Sequence, residues 1–299
     1  MLRHAFGILF LALFLLPSAW AGNTVALILS DNSAPYKEFA AGFYEAMQDK
    51  GWEVNLGLAE QAESGNASLI VTVGVDAFRQ SLQKPGNTPI LGTLIGRQIY
   101  QKLLNDSGRP RKRSSAIYIE QAYNRQAQFI HALLPDKTRA GVLVSTDSRH
   151  ELGTIRQALQ ANGLTLDSED SDHDESLLPA SNALFERIQI LLATPDPKIY
   201  KRDQIKTLLL TSYRHRKPVI AFSSAFVTAG ALAAIYSTPK QLARQAAQMV
   251  LNHGSNLPPA EYPDQFAIAI NRSVADALGL SLPDEAELRR ALNASKESR

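Results

Sequence analysis

The chain has 299 residues, of which 45% are hydrophobic and 20% are charged, and its formal net charge is +2. This is the composition of an ordinary globular protein, and the length allows two domains of usual size. A charge so near zero gives no reason to expect a nucleic-acid partner, because phosphate binding requires a concentrated basic face. The sequence contains no cysteine, which excludes disulfides, thiolate metal sites and a cysteine nucleophile.

The first residues have the pattern of an export signal. A short polar start precedes the apolar run 5–16, and the small-x-small segment 19–21 is typical of a signal-peptidase site. We therefore predict a cleavable signal peptide over residues 1–21 and, without a cysteine at the cleavage site, no lipid anchor. An uncleaved anchor is the alternative. The predicted location is the periplasm, if the source is a Gram-negative bacterium.

Short apolar runs alternate with helical patterns after residue 23. In the first half the predicted strands are 24–29, 52–56, 69–73 and 89–94. After the first strand, Tyr36, Phe39, Phe43 and Met47 recur at spacings of three and four, which predicts one face of a helix. This alternation favours a parallel sheet covered by helices.

The same alternation starts again after residue 119 and predicts a second lobe built like the first. Its predicted strands are 140–144, 164–166, 188–193, 218–222 and 266–270. Thr238 followed by Pro239 predicts the start of a long helix, and Asn271 predicts the cap of the last one. The residues from Arg290 onward are polar and are expected to fray.

Two loops at predicted strand ends are candidate ligand-binding loops, because open α/β sheets bind ligands at the carboxyl ends of their strands. Ser223 and Ser224 follow the strand 218–222, and either line a ligand cleft or cap the next helix. Asp196 stands between two prolines after the strand 188–193. It is a candidate to hold a cationic ligand group, or a carboxylate that caps a turn.

Two charged runs are interpreted as solvated loops. The acidic run 167–175 begins like a calcium loop, but Glu175 stands where glycine is needed and Ser181 where the bidentate glutamate is needed. The basic run 109–113 lies between elements without interleaved aromatic residues. We therefore predict no metal site and no anion-binding or membrane-binding patch.

Enzyme chemistry is hard to find in this sequence. It contains no G-x-S-x-G or H-E-x-x-H motif and no phosphate-cradling glycine loop, and its histidines are scattered without metal-ligand spacing. We therefore predict a protein that is not an enzyme and carries no cofactor.

Four segments in order resemble the ABC-transporter substrate-binding proteins of the tryptophan/tyrosine type. They are ALLPDKTRAGVLVS (132–145), ATPDPKIY (193–200), VTAGALAAIY (227–236) and FAIAINRSVADALGLSLP (266–283). The resemblance extends over about residues 24–283. The chain departs from the family pattern at 145–147, where STD replaces an asparagine-proline turn, and in the loop 95–100.

The resemblance implies the type I periplasmic binding fold, an α/β architecture with two Rossmann-like lobes whose parallel sheets are joined by three crossovers. The expected first lobe comprises residues 22–121 and about 224–260. The expected second lobe comprises 122–223 and about 261–285, with 286–299 as a polar tail. Such lobes close on a small ligand.

By position, the resemblance also implies which residues line the cleft. They are Ser30, Asp31, Tyr36, Thr72, Gly74, Thr93, Ser145, Thr146, Asp196, Ser223, Ser224 and Phe226. Hydroxyls and helix starts suit a ligand carboxylate, and a carboxylate such as Asp196 suits an ammonium group. Tyr36 or Phe226 would receive an apolar or aromatic part of the ligand.

The function implied is that of a monomeric periplasmic protein that captures a small, amino-acid-like ligand for the membrane permease of an ABC importer. The alternative is a sensor with the same cleft, which signals to a membrane receptor or kinase. An exported enzyme is the third hypothesis. The sequence does not distinguish the first two, because they share every feature described above.

Overall fold

Two separate sheets organise the chain. The computed structural model describes residues 23–60 and 67–297, so the predicted export signal lies outside the described residues. The first sheet is parallel throughout and has the strand order β2-β1-β3-β4-β5. Its strands are β1 (Asn23–Leu29), β2 (Trp52–Leu58), β3 (Leu69–Val73), β4 (Ile90–Ile95) and β5 (Ser114–Tyr118).

The second sheet has the strand order β11-β10-β9-β8-β6-β7, and only β11 runs antiparallel to its neighbour. Its strands are β6 (Arg139–Val144), β7 (Thr165–Asp170), β8 (Ile190–Leu192), β9 (Val219–Ala221), β10 (Ala233–Tyr236) and β11 (Ala267–Ile270). The strands at its centre are apolar throughout because helices cover both faces. Two lobes of α/β architecture result, as the sequence predicted.

Helices pack on both faces of each sheet. Those of the first lobe are α1 (Ala34–Met47), α2 (Val75–Gln83), α3 (Arg97–Ser107) and α9 (Pro239–His253). Those of the second lobe are α4 (Tyr123–Leu133), α5 (Leu152–Gln160), α6 (Asp174–Arg187), α7 (Arg202–Arg214), α8 (Ser224–Thr228), α10 (Arg272–Leu278) and α11 (Glu285–Glu297). None of the described helices combines the length and the apolar character that crossing a membrane requires.

The chain crosses between the lobes three times, at residues 119–122, 237–238 and 263–266. The expected boundary near residue 224 lies too early, because α8 packs in the second lobe and β10 pairs with β9 there. The boundary near 261 is also slightly early. Glu261 still belongs to the first lobe, where its backbone bonds to Ala116 and Tyr118 beside β5.

The expected polar tail forms most of a helix, α11. Leu288 and Leu292 are buried in the core of the second lobe, one turn apart on the same helix face. The prediction of a tail was wrong because it rested on average composition. Charged residues surround the two leucines, so the segment is polar on average although one face of the helix is apolar.

The acidic run also differs from the expected loop. Its first four residues belong to β7, an edge strand where charged side chains reach solvent. Arg149 binds Asp170 at 2.8 Å, and Arg187 binds Glu169 at 2.7 Å. Among the described residues no group of histidine, aspartate and glutamate side chains could hold a metal ion.

Gly141 on β6 is packed too closely for any side chain. A Cβ atom placed there would lie 2.7 Å from Ile188 Cγ2 and 3.1 Å from Leu184 Cδ1. We expect Gly141→Ala to lower the free energy of unfolding by about 1–3 kcal/mol, the usual cost of an overpacked core. Urea unfolding measures the change. Gly153→Ala is the control, since no atom lies within 4 Å of a Cβ there and alanine favours the helix. Equal effects of the two substitutions would contradict the prediction.

Candidate functional site

The carboxyl ends of strands from both sheets meet at a narrow cavity, called here the Gly96 cavity. Its volume is about 10 Å³, room for roughly one water-sized group. The first lobe contributes Gly96, Arg97 and Glu120, and the second contributes Ser148, Glu151 and Pro195. Near this contact, Lys102 Nζ on α3 lies 3.2 Å from Asp147 Oδ2 of the second lobe. Any closing or opening of the lobes must therefore change this cavity.

Two buried glutamates face the Gly96 cavity, and each is only 4% exposed. Glu120 Oε1 accepts a hydrogen bond from the Arg97 backbone N–H at 2.8 Å, and Glu151 Oε2 accepts one from the Tyr123 hydroxyl at 2.5 Å. Their second oxygens, Glu120 Oε2 and Glu151 Oε1, receive no hydrogen bond from any described residue. The cavity thus holds two acceptor atoms that burial would normally require to be satisfied.

Arg97 is the guanidinium nearest to these carboxylates. Its Nε lies 3.8 Å from Glu151 Oε1, and its Nη1 donates to the Tyr262 hydroxyl at 3.0 Å. Burial raises the pKa of Glu120 to about 7, and the nearby Glu151 charge adds to this effect. The hydrogen bond from Arg97 and the Arg97 charge act in the opposite direction without cancelling it.

A second cluster of polar groups lies at the start of α2 in the first lobe. Ser30 Oγ accepts from the Ala77 backbone N–H at 3.0 Å. Gly74 has φ +94°, and a Cβ there would lie 2.5 Å from Ser30 Oγ and 2.6 Å from the Tyr36 hydroxyl oxygen. The structure therefore brings Ser30, Tyr36 and Gly74 together at this point. Asp31 is exposed beside them and accepts from the Ser33 backbone N–H.

Thr72 and Thr93 lie inside the first sheet. Both are fully buried, and Thr93 Oγ1 donates to the Thr72 carbonyl oxygen at 2.7 Å. Thr72 Oγ1 donates to the Leu91 carbonyl oxygen. Their hydroxyls are thus engaged with the backbone of neighbouring strands rather than presented to a ligand.

Asp196 is 1% exposed, and its carboxylate binds donors of its own lobe. Oδ2 accepts from Ser145 Oγ at 2.7 Å, Ser148 Oγ at 2.5 Å and Ser145 N–H at 3.3 Å. Oδ1 accepts from the Lys198 N–H at 2.9 Å. Each carboxylate oxygen offers about two acceptor positions, so these donors occupy Oδ2 fully and leave one position of Oδ1 open. Asp196 therefore holds the loop that follows β6 with most of its acceptor capacity.

The remaining candidates of the second lobe are also bound within it. Thr146 is exposed, and both its N–H and its hydroxyl donate to Asp172 Oδ1 at 2.5 Å. Ser223 caps α8 by accepting from the Phe226 N–H, which is the capping role left open above. Ser224 is exposed in the first turn of that helix.

Phe226 belongs to the core of the second lobe. It is 3% exposed, and its ring packs against the rings of Tyr200 and Phe222 at centroid distances of 5.7 and 5.6 Å. Phe226 is therefore buried away from any ligand in this conformation. Phe222, directly at the end of β9, is the only half-buried ring of the three.

Sequence reasoning missed the residues that converge on the Gly96 cavity. Glu120 follows a buried apolar run, so the strand-end rule used for Ser223 and Asp196 applied equally to it. Arg97 lies in the loop that was noted only as a departure from the family pattern. Glu151 stands seven residues beyond the end of β6, and no signal in the sequence distinguishes it from a surface glutamate.

A second cavity, of about 480 Å³, lies on the outside of the first lobe. It is lined by α3, the turn at 111–112 and the segment 256–260. Although it is much roomier than the Gly96 cavity, only one lobe forms it. Movement of the lobes relative to each other would not open or close it.

Solved structures from three bacteria share this fold. An ABC domain in complex with L-Trp from Streptococcus pneumonia is 17% identical, with a TM-score of 0.65 over 90% of this chain and 98% of that chain. A conserved domain protein from Vibrio cholerae is 16% identical, with a TM-score of 0.64 over 90% and 98%. A ligand-free, open substrate-binding protein with adhesive properties from Clostridium difficile is 15% identical, with a TM-score of 0.68 over 89% and 97%. No curated protein gives a significant match.

The sequence itself matches a family model over residues 53–293, which is most of the chain. That model describes ABC transporter substrate-binding proteins, and the solved relatives have the type I periplasmic binding fold expected from the sequence. The family is thus one of binding proteins, and the relative from Clostridium difficile is itself a substrate-binding protein. The fold agrees with this match, since it has two α/β lobes, three crossovers and a cavity between opposing strand ends. The chain therefore belongs to the ABC transporter substrate-binding protein family.

Proposed function

We propose that this protein captures a small, amino-acid-like ligand between its two lobes and delivers it to the membrane permease of an ABC importer. It acts outside the cytoplasmic membrane after removal of the signal peptide. We propose that it works as a monomer, with both walls of the cleft supplied by one chain. The observation that carries the proposal is the Gly96 cavity, where buried polar groups of both lobes face a space that closure would seal.

The proposal is tested by a thermal-shift screen of residues 22–299 against amino acids and other small metabolites. A ligand at a thousand times its dissociation constant stabilises the protein by about 4 kcal/mol, a rise in Tm of roughly 8 °C for a chain of this size. If no compound of a broad panel raises the Tm, the proposed function is contradicted.

A pair of substitutions at Gly96 locates the binding site. Gly96 has φ −70° and ψ 145°, which any residue adopts, and a Cβ there would contact Glu120 Oε2 at an ordinary 3.7 Å. The cavity has room for only one water-sized group, so the methyl of Gly96→Ala should already weaken the ligand-induced shift, and Gly96→Leu should remove it. Gly153→Ala, which is outside the cavity, is the control that should keep the shift. Cross-linking of the ligand-bound protein in membranes then identifies the partner. Capture of a receptor or kinase instead of a permease would contradict the import role.

A further inference from the structure

Three residues that offer oxygen acceptors line the Gly96 cavity, and the residue between them is a glycine without a side chain. A Cβ placed on Gly96 would lie 3.7 Å from Glu120 Oε2 and 3.8 Å from the Pro195 carbonyl oxygen. Glu151 lines the same cavity, and its Oε1 lies 3.8 Å from Nε of Arg97, another lining residue. Two of these atoms are carboxylate oxygens that no described residue satisfies by a hydrogen bond. Buried acceptors of this kind call for a donor from outside the protein.

The charges around the cavity favour a cationic donor. Once Glu120 is ionised, two carboxylates face one guanidinium, that of Arg97, whose Nε is 3.8 Å from Glu151 Oε1. His150 is the other basic group close by, but its ring is more than half exposed and lies 3.6 Å from Glu151 on the solvent side. A ligand carboxylate would add a third negative group here, whereas a cation restores the balance.

The size of the cavity selects among cations. In this arrangement of the lobes, about 10 Å³ admits one water-sized group, which fits a primary ammonium but not a trimethylammonium group or a planar guanidinium. A primary ammonium has three N–H donors, matching the three oxygens. Calcium needs six to eight oxygen ligands, and these three fall well short.

We propose that the Gly96 cavity is an ammonium subsite of the ligand cleft, in which Glu120 Oε2, Glu151 Oε1 and the Pro195 carbonyl oxygen bind a primary ammonium group. The inference rests on the proposed function and narrows its ligands to primary amines. It also moves the ammonium-binding role from Asp196, which is engaged by four donors of its own lobe, to two glutamates on opposite lobes. The ammonium group links the lobes, so binding it favours the closed arrangement.

The first experiment uses methylammonium chloride as the probe and needs no identified ligand. The Tm of residues 22–299 is measured in methylammonium, tetramethylammonium and sodium chloride at equal ionic strength, and separately in calcium and magnesium chloride. We expect methylammonium to raise the Tm by about 2 °C or more above the other two salts, in a saturable way. Equal effects of the three salts would overturn the subsite, and so would a larger effect of calcium or magnesium.

Substitutions assign the effect to the two glutamates. The double substitution Glu120→Gln with Glu151→Gln should abolish the methylammonium effect, and Glu45→Gln on the exposed face of α1 should leave it unchanged. If the double variant does not fold, Glu120→Gln alone serves, because the glutamine oxygen can still accept from the Arg97 N–H. Persistence of the effect in the variant that folds would overturn the assignment.

The second experiment uses the compounds that bind in the metabolite screen. Each binder is paired with the analogue in which a hydroxyl replaces the amino group, and calorimetry gives both dissociation constants. We expect the analogue to bind at least tenfold more weakly, and the glutamine variants to show the same loss for the amine. A compound that binds but has no cationic nitrogen would contradict the proposed subsite and still support the proposed function. Methylammonium stabilisation without any metabolite binder would support the subsite while the proposed function fails.

Discussion

Replacing Asp196 by alanine is expected to lower the free energy of unfolding by about 3–5 kcal/mol. The substitution removes the acceptor for the Ser145 N–H and hydroxyl, the Ser148 hydroxyl and the Lys198 N–H. Ser145 and Ser148 are buried, so water cannot easily replace the lost bonds, and each unsatisfied donor costs about 1–3 kcal/mol. Urea unfolding followed by circular dichroism measures the loss.

A neighbouring carboxylate provides the matched control. Asp172 accepts from the exposed residue Thr146 in the same loop, so water can take its place, and Asp172→Ala should have a much smaller effect. The ligand-induced thermal shift gives a second readout. If Asp196→Ala leaves stability unchanged and removes ligand binding, then Asp196 contacts the ligand and our interpretation of it is wrong.

Glu120→Gln is expected to gain stability relative to the wild type as the pH rises. In the ligand-free protein, the difference in free energy of unfolding between the variant and the wild type should be roughly 3 kcal/mol more favourable to the variant at pH 8 than at pH 4.5. Burial raises the pKa of Glu120 from an ordinary 4.5 to about 7, so the fold favours the neutral carboxyl group. The stability that this group contributes is complete below pH 4.5 and is lost as the pH rises through about 7. A pKa difference of this size corresponds to the stated free energy.

The measurement is a series of urea unfolding curves for the wild type and Glu120→Gln between pH 4.5 and 8. Glu45→Gln is the control, because a hydrogen bond from Lys240 keeps the pKa of that exposed carboxyl below its usual value. A carboxyl whose folded pKa is lowered loses no stability as the pH rises through 7, so Glu45→Gln should not show the pH dependence expected of Glu120→Gln. A difference between the wild type and Glu120→Gln that does not change with pH would show that Glu120 is already ionised in the ligand-free protein.

Together with the proposed subsite, this result would mean that Glu120 lowers the stability of the ligand-free protein and strengthens the binding of amines. The wild-type glutamate weakens the empty protein above pH 7 because its charge is buried without a full set of partners. A primary ammonium group supplies the missing partner. Glutamine at this position is then expected to stabilise the fold and to weaken the binding of amines.

The strands of this fold could be predicted well because their signal is local. The runs 24–29 and 69–73 are continuously apolar, and the structure has strands at Asn23–Leu29 and Leu69–Val73. The same is true of the helix start at Thr238, whose side chain caps α9. The edge strand β7 was shortened in the prediction because its acidic residues point to solvent and to arginines brought near by the fold.

The site was harder to predict, because the strand-end rule finds loops but not the state of each side chain. Asp196 and Glu120 both follow apolar runs, and nothing local separates them. One is satisfied by Ser145 and Ser148, about 50 positions earlier in the chain, and the other keeps an oxygen free. That difference depends on which donors the folded chain brings within reach, and a sequence pattern contains no such distances.

The three crossovers have a consequence for how the chain reaches its native state. The first lobe is completed by α9, whose Ala243 packs against Gly42 of α1. In the sequence, most of the second lobe lies between these two helices. The second lobe in turn lacks part of its core until β11 and α11 have joined it. Such separated contacts slow folding more than they reduce stability, because the entropy of loop closure grows only with the logarithm of loop length. Neither lobe is therefore a contiguous unit that could be produced alone, and the two must mature together late in synthesis.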